Sequence, residues 1–198
     1  MTLNQKIPVT LKTGNESFYF NDRKFDFKII DFWKWNTSDL VSNATRGRLA
    51  EFIVAKALKI DTSIARVEWQ AYDLITRNEI KIEVKSASYI QSWNQKELSK
   101  ISFSIKKSRT WNPDTNKYSN ELSRNSDAYI FALLKHKNKD TIDPLNLEQW
   151  KFYILTTEEV NNYKRSEHSI TLKSLEKIAE AIGFDELENM LYQKLGKK

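Results

Sequence analysis

Three carboxylates and a lysine stand close together in this chain. They are Glu51, Asp73, Glu83 and Lys85, within Arg46-Gly-Arg-Leu-Ala-Glu51, Tyr72-Asp73-Leu74 and Ile82-Glu83-Val84-Lys85. Two acids and a lysine on adjacent strands are what a metal-dependent phosphodiester-cleaving site requires. The acids hold a hard cation, and the ammonium acts on the attacking water or the pentavalent transition state. Suppose the strands around Asp73 and Glu83 form a hairpin turning at Arg77-Asn78-Glu79. Leu74 then faces Ile82, Tyr72 faces Val84, and Asp73 faces Glu83. The apolar pairs match, which supports this register. The two carboxylates repel, unless a divalent cation turns the repulsion into a site. Oxygen ligation with few protein carboxylates suits Mg²⁺, and Mn²⁺ is expected to substitute. Lys85 lies two residues past Glu83 and so points to the same side. Glu51, from a neighbouring helix, could hold a second metal or orient a metal-bound water.

The elements that must position these groups are legible in outline. Ser42 and Asn43 supply capping side chains before a helix from Ala44 to Leu58, apolar around most of its circumference and therefore expected to be buried. Ile64 to Gln70, Tyr72 to Ile75, Ile80 to Ser86 and Ile101 to Lys106 read as strands. Ala128 to Leu134 and Trp150 to Leu155 read as buried strands. Thr156 opens a short helix. Leu172, Leu175, Ile178, Ala179 and Ile182 form a helical stripe that Gly183 breaks, and a last helix runs from about Asp185 to Leu195. Phe18 to Phe20 and Phe25 to Ile29 read as short strands of an N-terminal layer. Phe32, Trp33 and Trp35 follow, too many aromatics to leave exposed, so this segment is expected to pack on the core. The order of elements indicates an α/β domain with a central mixed β-sheet flanked by helices. One domain is expected over 1–198: an aromatic-rich extension (1–43), a catalytic core (44–155) and a C-terminal helical segment (156–198).

Composition narrows the classes. At 198 residues, 40% hydrophobic and 12% aromatic, with four Gly and three Pro, the chain can bury one sizeable core. It has no cysteine, which excludes disulfides, iron–sulfur clusters and thiolate zinc sites. No apolar run approaches a membrane span, and the N-terminus lacks the apolar core of a signal peptide, so a cytoplasmic protein is expected. A net charge of +6 favours an anionic partner, with nucleic acid first, though ordinary solubility accounts for it equally well.

Together these residues resemble the PD-(D/E)XK nuclease superfamily, with its restriction-endonuclease-like fold. Asp73 matches the first acid of that pattern, Glu83 the second and Lys85 the lysine. Glu51 matches the acid often found on the superfamily's first core helix. Ala71-Tyr72 stands where a Pro usually precedes the first acid. The resemblance covers roughly Ala44 to Leu155. It implies a core ordered helix, three strands, helix, strand, and a metal held by Asp73, Glu83 and the backbone carbonyl of Val84, with Glu51 nearby.

Each element has a plainer reading. A Glu-Val-Lys strand by itself is a solvated face, an Asp before an apolar strand is a turn cap, and Glu51 could pair with Arg46 or Arg48. Jointly they are read as a site. His136 and His168 are far apart and lack metal spacing. Phosphate loops, dinucleotide fingerprints and serine nucleophile elbows are absent. Lys106, Lys107, Arg109 and Trp111, with Arg124 downstream, form a candidate nucleic-acid surface, or else a solvated basic loop. Lys135 to Lys139 read as a solvated hairpin loop.

The expected function is an Mg²⁺-dependent nuclease hydrolysing DNA phosphodiester bonds, an endonuclease of restriction, defence or repair. A structure-specific, junction-type nuclease would use the same chemistry. A non-catalytic DNA-binding or assembly module of the same fold is the alternative from another class. The sequence leaves the oligomeric state open, a homodimer included.

Overall fold

The computed structural model describes residues 7–66, 70–112 and 115–196. Its centre is a four-stranded mixed sheet in the order β3–β4–β8–β9, made of β3 (Leu74–Ile75), β4 (Lys81–Ser88), β8 (Ala128–Leu134) and β9 (Trp150–Thr156). β3 pairs antiparallel with β4, β4 parallel with β8, and β8 antiparallel with β9. All seven residues of β8 are buried, as expected of a strand covered on both faces.

Alternation along the strands divides the core in two. Ile82, Val84, Ile130, Ala132, Phe152 and Ile154 face α2 (Asn43–Ala57) and α5 (Leu187–Lys194), meeting Ala50, Val54, Leu187 and Leu191. Tyr129, Phe131, Leu133, Tyr153 and Leu155 face the other way. There they meet Phe103 of β5 (Ser102–Ser104), Ile170 of β10 (Ser169–Thr171), Leu175 of α4 (Leu172–Leu175) and Val160 of α3 (Thr157–Asn162). Each large side chain so buried contributes roughly 1.5–3 kcal/mol.

The hairpin turn falls where the sequence puts it. Leu74 pairs with Ile82, and the Ile80 N–H donates to Thr76 Oγ1 across a turn in which Glu79 has φ 60°. Several expectations are corrected. The Ser42 hydroxyl meets Thr45 Oγ1, and Asn43 Oδ1 accepts from Arg46, so neither side chain caps α2. α2 buries one face only, and Phe52 is exposed. Among the described residues no helix lies between β4 and β8. The polar connection instead holds β5 and a small ladder of β6 (Trp111–Asn112) and β7 (Lys117–Tyr118). Alternation of Ile101, Phe103 and Ile105 suits a strand, and β5 takes β10 as its partner. Of the stripe from Leu172 to Ile182 only α4 is regular helix; turns continue to Ala179, and Ile182 instead exchanges backbone hydrogen bonds with Phe152 of β9. The strand expected over Ile64 to Gln70 lies in part outside the described residues, and Ile64 to Arg66 are irregular.

The N-terminal aromatics do not enter the core. β1 (Ser17–Phe20) and β2 (Arg23–Lys28) form a hairpin whose rings stack on one another, Phe18 on Phe27 at 4.8 Å and Phe25 on Phe27 at 5.4 Å. α1 (Ile29–Thr37) buries no residue, and Trp35 is 82% exposed. Self-stacking within a two-stranded ribbon satisfies these rings in part, without a second layer behind them. Among the described residues no helix is long and apolar enough to cross a membrane.

Candidate active site

Asp73 sits one residue before β3, where the hairpin ladder gives out. Its N–H still donates to the Ile82 carbonyl at 3.0 Å, but its side chain takes over the pairing, Oδ2 accepting from the Val84 N–H at 2.8 Å. In a strand the N–H and C=O of one residue point to the same edge, so the Val84 carbonyl also faces Asp73. β3 has ended there and does not pair with it. Glu83 projects beside Asp73, half-buried. Burial raises its pKa first, the neighbouring Asp73 charge raises it further, and Lys85 opposes both. Lys85 Nζ donates to Glu83 Oε1. The two are neighbours on one face of β4, as the period of a strand requires.

Glu51 reaches the same region from α2. Its pKa is raised by burial, lowered by a hydrogen bond from Arg66, and raised again by Asp73. Arg66 donates from Nε to Glu51 Oε2 at 2.5 Å and stands 3.7 Å from Asp73 Oδ1. No pattern in the sequence marks Arg66 as part of the site, since it lies in an irregular segment. Arg46 is not the partner of Glu51. It is 4% exposed and donates to Ser86 Oγ, the Val41 carbonyl, Asn43 and Gln91, all neutral acceptors that tie α2 to β4. That role places Arg46 and the buried Gln91 in the scaffold.

A cleft of about 260 Å³ opens over the acids. Asp73 and Glu83 line it together with Tyr72, Arg109, Trp111 and Tyr118. The structure therefore brings two of the four candidate nucleic-acid contacts, Arg109 and Trp111, to the carboxylates. Trp111 packs on Tyr118 across the β6–β7 ladder with ring centroids 4.8 Å apart. Lys107 lines a separate cavity, and Lys106 is exposed and lines neither. Beneath the cleft, Tyr129 pairs in register with Glu83, and burial pushes its hydroxyl up to about 12.

The donor set suits a hard divalent cation held by few protein ligands. Two carboxylates line the cleft, beside the Val84 backbone that donates to Asp73, and a cation held there would keep several waters, as Mg²⁺ does. The Ser126 hydroxyl, close enough to Glu83 to lower its pKa slightly, is buried without a partner at hydrogen-bond geometry. Such an orphan is unusual unless water or an ion's hydration shell meets it. Among the described residues no three acidic or histidine side chains are grouped to hold an ion, and Glu51 is linked to Asp73 through Arg66.

Residues 28–174, about three quarters of the chain, match the family model of bacteriophage T4 endonuclease IV. The chain belongs to that family. The endonuclease IV match starts at the end of β2 and runs into α4, so it contains the whole acid cleft and the central sheet. It reaches beyond the core that the superfamily resemblance covers on both sides. No curated protein matches the chain. Membership in the endonuclease IV family makes this protein a nuclease.

Proposed function

We propose that the chain is an Mg²⁺-dependent DNA endonuclease built on the restriction-endonuclease-like plan, with Asp73, Glu83 and Lys85 as its catalytic residues. The observation that carries this reading is the convergence of Asp73, Glu83 and the Val84 backbone in one cleft, on a hairpin whose ladder stops there. Asp73, Glu83 and the Val84 carbonyl would hold the ion. Bound there, Mg²⁺ would neutralise charge on the scissile phosphate and acidify a water. Lys85, an ammonium while paired with Glu83, is placed to orient the attacking water or to neutralise charge growing on the phosphoryl oxygens. Glu51 holds Arg66 beside Asp73. Arg109 and Trp111 line the side of the cleft where the nucleic-acid chain would enter.

Restriction, defence and repair all fit this chemistry, as does cleavage at junctions. The alternative of a non-catalytic binding module draws on one observation: Arg66 and Lys85 already compensate the acids. One experiment separates the readings. Purified protein is incubated with plasmid, linear and branched DNA, and with RNA, in Mg²⁺, Mn²⁺ or EDTA. Mg²⁺-dependent DNA cleavage, lost in EDTA and in Glu83→Gln, is expected. Cleavage that persists in EDTA overturns the metal assignment. Binding without cleavage in either metal supports the module.

A further inference from the structure

We propose that a second cavity beside the cleft is a phosphate subsite, which grips the nucleic-acid backbone away from the bond that is cut. This deepens the functional reading above and rests on it. The cavity measures about 410 Å³ and is lined by Lys107, Arg124 and Lys164, with Tyr163 as a neutral donor and Glu167 as its one acid. The excess of cations sits in a concavity, where low-dielectric walls focus the field more than a convex surface does.

Those cations are available. Arg124 donates twice to the Ile105 carbonyl, at 3.1 and 2.7 Å, and to Asn161 Oδ1 at 2.7 Å. These acceptors are neutral, so they fix the guanidinium without cancelling its charge. Among the described residues Lys107 and Lys164 form no ion pair, while other lysines, such as Lys59, Lys85 and Lys194, do.

The cavity is joined to the acid cleft by a shared wall. Lys107 lines the cavity, while Ser108 and Arg109 line the cleft. Ser108 and Ser123 exchange backbone hydrogen bonds, each 3.0 Å, which pins that wall. Lys107 and Arg109 are two residues apart in the chain, which is at most about 7 Å. A single phosphodiester strand crossing the wall would meet Arg109 on the cleft side and Lys107 with Lys164 on the other. Lys106 has no place in this path.

The test compares Lys107→Glu/Lys164→Glu with Lys173→Glu/Lys177→Glu, which makes the same charge change on exposed lysines of the α4 region. Binding of a fluorescent duplex oligonucleotide is followed by anisotropy in EDTA across a salt series, and circular dichroism checks folding. If the glutamates disturb the fold, Lys107→Gln/Lys164→Gln replaces them. The cavity variant is expected to bind at least about tenfold more weakly than the control. Its log–log salt slope is expected to be lower by roughly two units, about 0.9 for each phosphate no longer neutralised. Equal weakening in both variants, or an unchanged slope, overturns the subsite. Mg²⁺ cleavage by the wild type, abolished in Glu83→Gln, is measured in parallel. If the wild type cleaves and the cavity variant binds as tightly as the control, the subsite alone falls. If the wild type neither cleaves nor binds nucleic acid, the functional reading falls and the subsite with it.

Discussion

Asp73 does two things at once, and its substitutions must be chosen accordingly. It is a candidate ligand and also the acceptor for the Val84 N–H. Asp73→Ala would orphan that donor at a cost of roughly 1–3 kcal/mol. Asp73→Asn keeps an acceptor while removing the charge. Asp73→Asn and Glu83→Gln are each expected to abolish metal-dependent cleavage with little loss of metal-free stability, measured by urea unfolding. Marked destabilisation of both would identify a structural pair. Lys85→Ala is expected to lose most turnover and keep most divalent affinity by calorimetry, since an ammonium cannot ligate a cation. The reverse pattern would make Lys85 an organiser of the acids. Arg66 stands 3.7 Å from Asp73 Oδ1, so it would compete with a cation for that carboxylate. Arg66→Gln is expected to tighten Ca²⁺ or Mg²⁺ binding, whereas weaker binding would mean that Arg66 supports the site.

At the level of elements, β8 is the spine on which the cleft rests. It pairs with β4, which carries Glu83 and Lys85, and Ile130 is fully buried at its middle, opposite Val84. Ile130→Ala is expected to cost about 2–5 kcal/mol in urea unfolding. A cost below about 1 kcal/mol would mean that the sheet repacks freely and does not hold the acids rigidly. The β6–β7 ladder belongs to the opposite class. It is two residues long on each side, polar around its rings, and joined to the rest through the Ser108–Ser123 bridge.

Across the whole molecule, the acid cleft is expected to couple stability to pH and, if it holds the proposed ion, to divalent ions. Glu51 and Glu83 have pKa values raised above the ordinary carboxylate value, chiefly by burial. The fold thus favours their neutral forms. That contribution is fully present below the unfolded carboxylate value, about 4.3, and is lost as pH rises through the raised folded values. The metal-free protein is expected to lose stability across that window, and Glu83→Gln should flatten the profile. A divalent ion bound only by the folded state restores stability by mass action, about 2.7 kcal/mol at a hundredfold excess over Kd. For a chain of this size that corresponds to a rise in Tm of roughly 5–10 °C. An unchanged Tm in saturating Mg²⁺ would count against an ion in this cleft.

Local pattern alone determined the hairpin register, the strand faces of Glu83 and Lys85, and the buried strands Ala128–Leu134 and Trp150–Thr156. Those depend on a period of two and on turn chemistry, which neighbouring residues carry. The helix expected over Leu172 to Ile182 is kept only as α4 and the turns to Ala179, and its end is claimed by a tertiary partner, Phe152, which takes Ile182's backbone. The N-terminal aromatics read as core because hydrophobicity records only that a ring avoids water. It does not say whether the ring finds the sheet or another ring of its own hairpin. Arg66, and the meeting of Lys164 with Lys107 and Arg124, were not legible for a related reason. Both assemble from segments distant in sequence, Glu51 with Arg66 and Asp73, Lys107 with Arg124 and Lys164, whose charges meet only once the sheet and its connections have closed.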